Sequence, residues 1–132
     1  MGKYDPAVLS TLDNLAEACS LSKHYTHAVK YYNEIMERFH RNNEIRFGAN
    51  KRQKRAEAVL LYKMSRVHFA QQDYESQLGK LKLALRSVRA VSVSGNESPP
   101  EKEQREYLET HIQRDMRVAR KQLEKSDIPP WV

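Results

Sequence analysis

The side chains able to do chemistry fall into three clusters. Cys19, His24 and His27 place a thiol and two imidazoles within nine residues. Such a set could hold zinc or pair a nucleophile with its base. Neither use is complete. Cys19 falls on an apolar helical stripe while the histidines flank a turn, and no Cys-x-x-Cys or second His pair supplies four ligands. Nothing nearby orients a base or forms an oxyanion hole, so a buried thiol is the simpler reading. In "EKEQREYLE", the carboxylates are interspersed with bases at helical spacing, where i,i+4 ion pairs explain them better than acid–base catalysis. Four glycines are too few for a phosphate-cradling loop. No enzyme activity, metal or cofactor is expected.

The third cluster lies in "FGANKRQKRAEAVLLYKMSRV", residues 47 to 67, where Lys51, Arg52, Lys54 and Arg55 run into an apolar helical pattern. The start of a helix is the end at which its dipole disfavours positive charge. A lysine- and arginine-rich run of this kind matches the loose signature for nuclear import or nucleic-acid binding. The alternative is a loop edge and helix end exposed to water.

Net charge is +6 and unevenly spread: residues 1–37 carry −2, residues 38–89 carry +9 and residues 90–132 carry −1. The middle third therefore attracts acidic partners of any chemical kind. At 132 residues the chain amounts to one domain, and 30% charged residues with 8% aromatics favour helix over sheet. A mean hydropathy of −0.82 points to slender helical layers or to surface that a partner covers. No apolar run approaches the ~18 residues of a membrane span. The first fifteen residues have no secretory core, are too acidic for a transit peptide, and make a poor myristoylation site. A single cysteine permits no internal disulfide, so a reducing compartment is expected: cytoplasm first, the cytoskeleton included, with the nucleus as the rival.

The elements that position these clusters are helices. Asp5-Pro6 is a helix start, followed by Val8, Leu9, Leu12, Leu15, Ala16 and Cys19 at three- and four-residue steps to about Leu21. After the turn "SLSKHY" a second helix carries Ala28, Val29, Tyr32, Ile35, Met36 and Phe39, with Thr26 as its expected cap. Asn42, Asn43 and Gly48 mark a polar connection. A third helix carries Ala58, Leu61, Met64, Ser65, His68 and Phe69 as far as "QQD", and a fourth carries Leu78, Leu81, Ala84, Leu85 and Val88. "SVSGNESPP" reads as a linker. Leu108, Ile112, Met116, Ala119 and Leu123 then give a long last helix a single narrow stripe, with acids at its start and bases at its end.

The two hairpins repeat each other. Over "LDNLAEACSLSKHYTHAVKYYNEI" and "LYKMSRVHFAQQDYESQLGKLKLA", Leu15 matches Met64, Ala16 Ser65, Cys19 His68, Tyr25 Tyr74, Tyr32 Leu81 and Ile35 Ala84. This large-small-aromatic order resembles the tetratricopeptide repeat, and the first copy is most similar to the kinesin-light-chain variety. The likeness covers about residues 5–40 well and 56–89 moderately. Gln77 departs from the family's alanine, and His68 stands where a bulkier apolar residue is usual. The spacing between copies is 49 residues rather than the usual ~34. The expected organisation is repeat one over about 5–40, a basic insert over 41–55 and repeat two over 56–91. A linker at 92–100, a capping helix at 101–125 and a tail at 126–132 follow. The fold class is all-α: two tetratricopeptide-type hairpins plus that capping helix.

The resemblance implies a concave groove that takes an extended peptide or a partner helix. Carried over by position, its lining would be Ser10, Asp13, Asn14 and Glu17, then Val59, Tyr62, Lys63 and Arg66. Asp13 and Glu17 would repel a terminal carboxylate, so a chaperone tail is not expected; an acidic and a basic wall suit a partner of both signs. The final helix would cover the open edge of the second hairpin, or alternatively pair as a coiled coil. Trp131 would pack back or be offered to a partner. The expected function is a non-catalytic adaptor or structural subunit of a hetero-oligomeric assembly, binding protein with no membrane contact. The alternative is a nucleic-acid-binding helical module of a ribonucleoprotein, led by Lys51, Arg52, Lys54 and Arg55.

Overall fold

A computed structural model of the chain describes residues 6–45, 51–93 and 97–127. It contains α1 (Pro6–Leu21), α2 (Tyr25–Ile45), α3 (Lys51–Ala70), α4 (Tyr74–Val93) and α5 (Pro99–Asp127), with no strand among the described residues. The expected cap Asp5, the side chains of Phe39, Lys51 and Arg52, Gly48 and Trp131 lie outside the described residues.

Helices α1 and α2 form one antiparallel hairpin and α3 and α4 another; α2 packs on α3, and α5 lies along α4 and touches α3. The all-α expectation of two hairpins and a long fifth helix is met. The long spacing between copies is taken up largely by longer helices, since α2 runs to Ile45 and α3 begins at Lys51. Likewise α4 continues to Val93 and α5 starts at Pro99, which narrows the linker.

The two hairpin turns share one hydrogen-bond pattern. His24 N–H donates to the Cys19 carbonyl (2.7 Å) and Lys23 N–H to that of Ser20 (3.2 Å). Asp73 N–H donates to the His68 carbonyl (2.9 Å) and Gln72 N–H to that of Phe69 (3.0 Å). Each set is a Schellman closure with its pivot in the left-handed region, Lys23 at φ 66° and Gln72 at φ 61°. This geometry corrects the expected cap. The first bond of α2 runs from Ala28 N–H to the His24 carbonyl, so His24 holds the cap position and Thr26 lies inside the helix. In the second hairpin the matching residue is Asp73, whose carboxylate accepts from Ser76 N–H at 3.2 Å. Helix α5 starts on Ser98, whose hydroxyl accepts from Glu101 N–H at 3.4 Å, with Pro99 at the first helical position.

Packing centres on α3, which is buried on two sides. Leu60, Met64 and Val67 meet Leu12 and Ala16 of α1 and Ala28, Tyr32 and Ile35 of α2. Ala58 and Leu61 meet Leu81, Ala84 and Val88 of α4 and Ile112 and Met116 of α5. Full burial of such side chains is worth ~1.5–3 kcal/mol each. Ala16 and Ala28 are wholly buried, as are Ser65 and Gln77 at the matching positions of the second hairpin. Gln77 brings a buried Oε1 with no hydrogen-bond partner, a cost of about 1–3 kcal/mol that the alanine in the first copy avoids. One stripe residue breaks the symmetry: Leu15 is 42% exposed although Met64, its counterpart, is fully buried. Met64 is covered because α3 packs against the first hairpin, whereas no described helix packs on the outer side of α1.

Candidate interaction groove

Between α1 and α3 lies a hollow of about 440 Å³. Leu9, Ile35, Ala56, Val59 and Leu60 line its apolar part, and Ser10, Asp13, Arg55 and Lys63 its polar part. A second hollow of about 220 Å³ continues the same face towards the hairpin turn, between Glu17, Ser20 and Leu21 on one side and Lys63, Arg66 and Val67 on the other. Lys63 borders both.

Its ammonium bridges the two helices there, 3.1 Å from each carboxylate oxygen of Asp13 and 3.2 Å from Glu17 Oε1. Burial alone would lower the Lys63 pKa; the hydrogen bonds and charges of Asp13 and Glu17 outweigh it and hold it above its ordinary value. The acidic and basic walls expected from sequence therefore neutralise each other across the groove.

On the other side of α3, Val59 and Arg55 border a further hollow of about 140 Å³ with Val88, Val91, Gln104, Arg105 and Leu108. Val59 thus stands on the ridge between two hollows, 40% exposed.

Of the residues expected in the groove, Ser10, Asp13, Val59 and Lys63 line the larger hollow, and Glu17 and Arg66 the smaller one. Asn14 is exposed and lines neither. Tyr62 is turned towards α5, where burial and then the Asp115 carboxylate push its phenol above the usual value. Arg66 Nη1 also lies 3.6 Å from Asp115 Oδ2, and its guanidinium sits 5.2 Å from the Phe69 ring centre. Helix α5 therefore draws Tyr62 away from the groove, whereas Arg66 reaches Asp115 and yet stays exposed along the smaller hollow.

Of the basic cluster, the two described side chains, Lys54 and Arg55, are paired with acids. Lys54 pairs with Glu57 at 3.8 Å, and Arg55 lies 3.3 Å from Glu101 and 4.0 Å from Glu97. Glu97, nearly buried, takes Arg105 Nε at 2.9 Å on both oxygens; Arg105 and Arg89 both reach Glu109, at 3.6 and 3.3 Å. This relay links α3, α4 and α5 at one end of the molecule. Asp115 and Glu97 were missed as structural residues. Asp115 did carry a signal: it falls three residues after Ile112 and four before Ala119, on the apolar stripe of α5.

Cys19 is a half-buried free thiol, and the His24 and His27 rings meet edge-on at 6.2 Å. Among the described residues no group of three or more His, Cys, Asp or Glu could hold a metal ion, and no described helix is long and apolar enough to cross a membrane. No family model matches the chain. Comparison with the curated proteins and with the solved structures likewise finds no match.

Proposed function

We propose that this chain is a non-catalytic interaction module of the tetratricopeptide type, an adaptor or subunit that seats a peptide or helix of another protein between α1 and α3. One observation carries it: an open hollow with an apolar floor, flanked by the exposed ridge residue Val59. Apolar concavity with a few placed polar groups is the usual form of a recognition site. The identical turns of the two hairpins, with small residues buried at matching positions, support the repeat reading. Two hairpins are fewer than the three such stacks generally need alone, which favours a place in a larger assembly.

The nucleic-acid reading is the less supported one. Arg55 lies beside Glu97 and Glu101 and Lys54 beside Glu57, and these carboxylates compete with phosphate for the two bases.

The test is selection of binders from a randomised displayed-peptide library, followed by calorimetric titration of the selected peptides against the chain and Val59→Glu. Binding that weakens about tenfold or more in the variant supports the groove. Peptides that bind both proteins equally would place recognition elsewhere. An RNA oligonucleotide that binds more tightly than any selected peptide, with affinity falling steeply in salt, would favour the rival.

A further inference from the structure

The outward face of α5 carries acids early and bases late, apart from Arg114 at its middle, which Asp115 holds at 3.6 Å, and the adjacent Glu124 and Lys125 at its far end, which offset each other. Glu103 and Glu106 stand in the first half, Arg117 and Lys121 in the second; all four are exposed, and none has an ion-pair partner among the described residues. On the same face Tyr107 is 68% exposed and Val118 39% exposed. The helix dipole favours acids early and bases late, but its influence fades within the first and last turns. Glu106 and Arg117 lie beyond that reach, in a helix that runs from Pro99 to Asp127. Within one chain the arrangement is unfavourable, because Arg117 and Lys121 are like charges at i,i+4.

We propose that this face pairs antiparallel with the same face of a second copy of the chain. A two-fold axis at the level of Ile112 sets Glu103 against Lys121 of the other copy. It brings the Glu106–Tyr107 level against Arg117–Val118. Both acid-to-base contacts then occur twice, and each Tyr107 ring meets a Val118 and an arginine stem at the flanks of the axis. Self-complementarity of one patch is what an isologous two-fold contact requires. A foreign acidic partner would satisfy only the basic half and a foreign basic partner only the acidic half, whereas a second copy satisfies both. The two net charges of +6 do not prevent the contact, since exposed charges further apart than ~8–10 Å are screened at physiological salt. The groove between α1 and α3 lies on other elements and remains open in such a dimer.

Sedimentation velocity on the full chain, from micromolar to millimolar concentration, tests the pairing. A dimer that dissociates as salt rises is expected. Glu103→Lys with Glu106→Lys, and separately Arg117→Glu with Lys121→Glu, each weaken self-association by about tenfold or more. Mixing the two variants restores a dimer containing one copy of each. Circular dichroism confirms that each variant is folded, and the neutral pair Glu103→Gln with Glu106→Gln replaces a reversal that is not. A chain that stays monomeric throughout overturns the proposal. So does a dimer indifferent to both charge reversals, or a mixture that does not re-associate.

Discussion

The Lys63 ammonium lies 3.1 Å from both carboxylate oxygens of Asp13, fastening α3 to α1 across the mouth of the groove. With Glu17 at 3.2 Å, one cation serves two acids that stand four residues apart on the same helix. Lys63→Met keeps the stem and leaves the acids facing each other. Both sides of the bridge are about one-third or more exposed, so solvent screening limits the loss to about 0.5–1 kcal/mol. The urea midpoint should fall at low salt and recover towards wild type at high salt. An unchanged midpoint would mean that the bridge is ornamental. Because the Lys63 pKa is raised, its contribution persists below 10.5 and fades only as alkaline pH passes through the folded-state value.

Lys23 and Gln72 both hold a left-handed backbone that L side chains enter at a cost of roughly 1–2 kcal/mol. Glycine removes the Cβ responsible, at the expense of a more flexible unfolded chain. Lys23→Gly and Gln72→Gly are each expected to stabilise by about 1 kcal/mol and raise Tm by a few degrees. Differential scanning calorimetry reads both shifts. A drop in Tm for either variant would contradict the turn geometry.

His68, in the last turn of α3, has a lowered pKa: burial disfavours its charged form, Lys80 adds to that, and Asp73 and Gln71 oppose it. The unfolded chain therefore takes up this proton first as pH falls. Stability from His68 is complete above its ordinary value of 6.5 and is lost as pH falls through the folded-state value. Urea titrations across that window should show stability declining with acid in wild type and a flatter profile in His68→Phe. Parallel profiles for the two proteins would assign the decline to other groups.

The groove was only partly legible beforehand. Ser10, Asp13, Val59 and Lys63 follow from repeat position, because α1 and α3 are equivalent helices and present equivalent faces. Tyr62 occupies an equally regular position, yet α5 draws it aside through Asp115, while Arg66, near the same carboxylate, still lines the smaller hollow. Periodicity marks a face as available and does not say which neighbour arrives there. The basic cluster teaches the same lesson: consecutive bases read as free charge until Glu57, Glu97 and Glu101 are brought beside Lys54 and Arg55.

Sequence alone determined the helices, their pairing into two hairpins and the turns that repeat at a 49-residue interval. Those features depend on apolar spacing and on backbone bonds spanning at most five residues, so each segment carries its own instructions. Tertiary structure decided what each face meets. Leu15 and Met64 hold the same repeat position, but only Met64 faces another hairpin, so one is half-exposed and the other buried. Whether Lys63 attracts a partner or locks to Asp13 and Glu17 was decided the same way. Burial and charge pairing are set by residues far away in the chain, and only their assembled positions in space fix them.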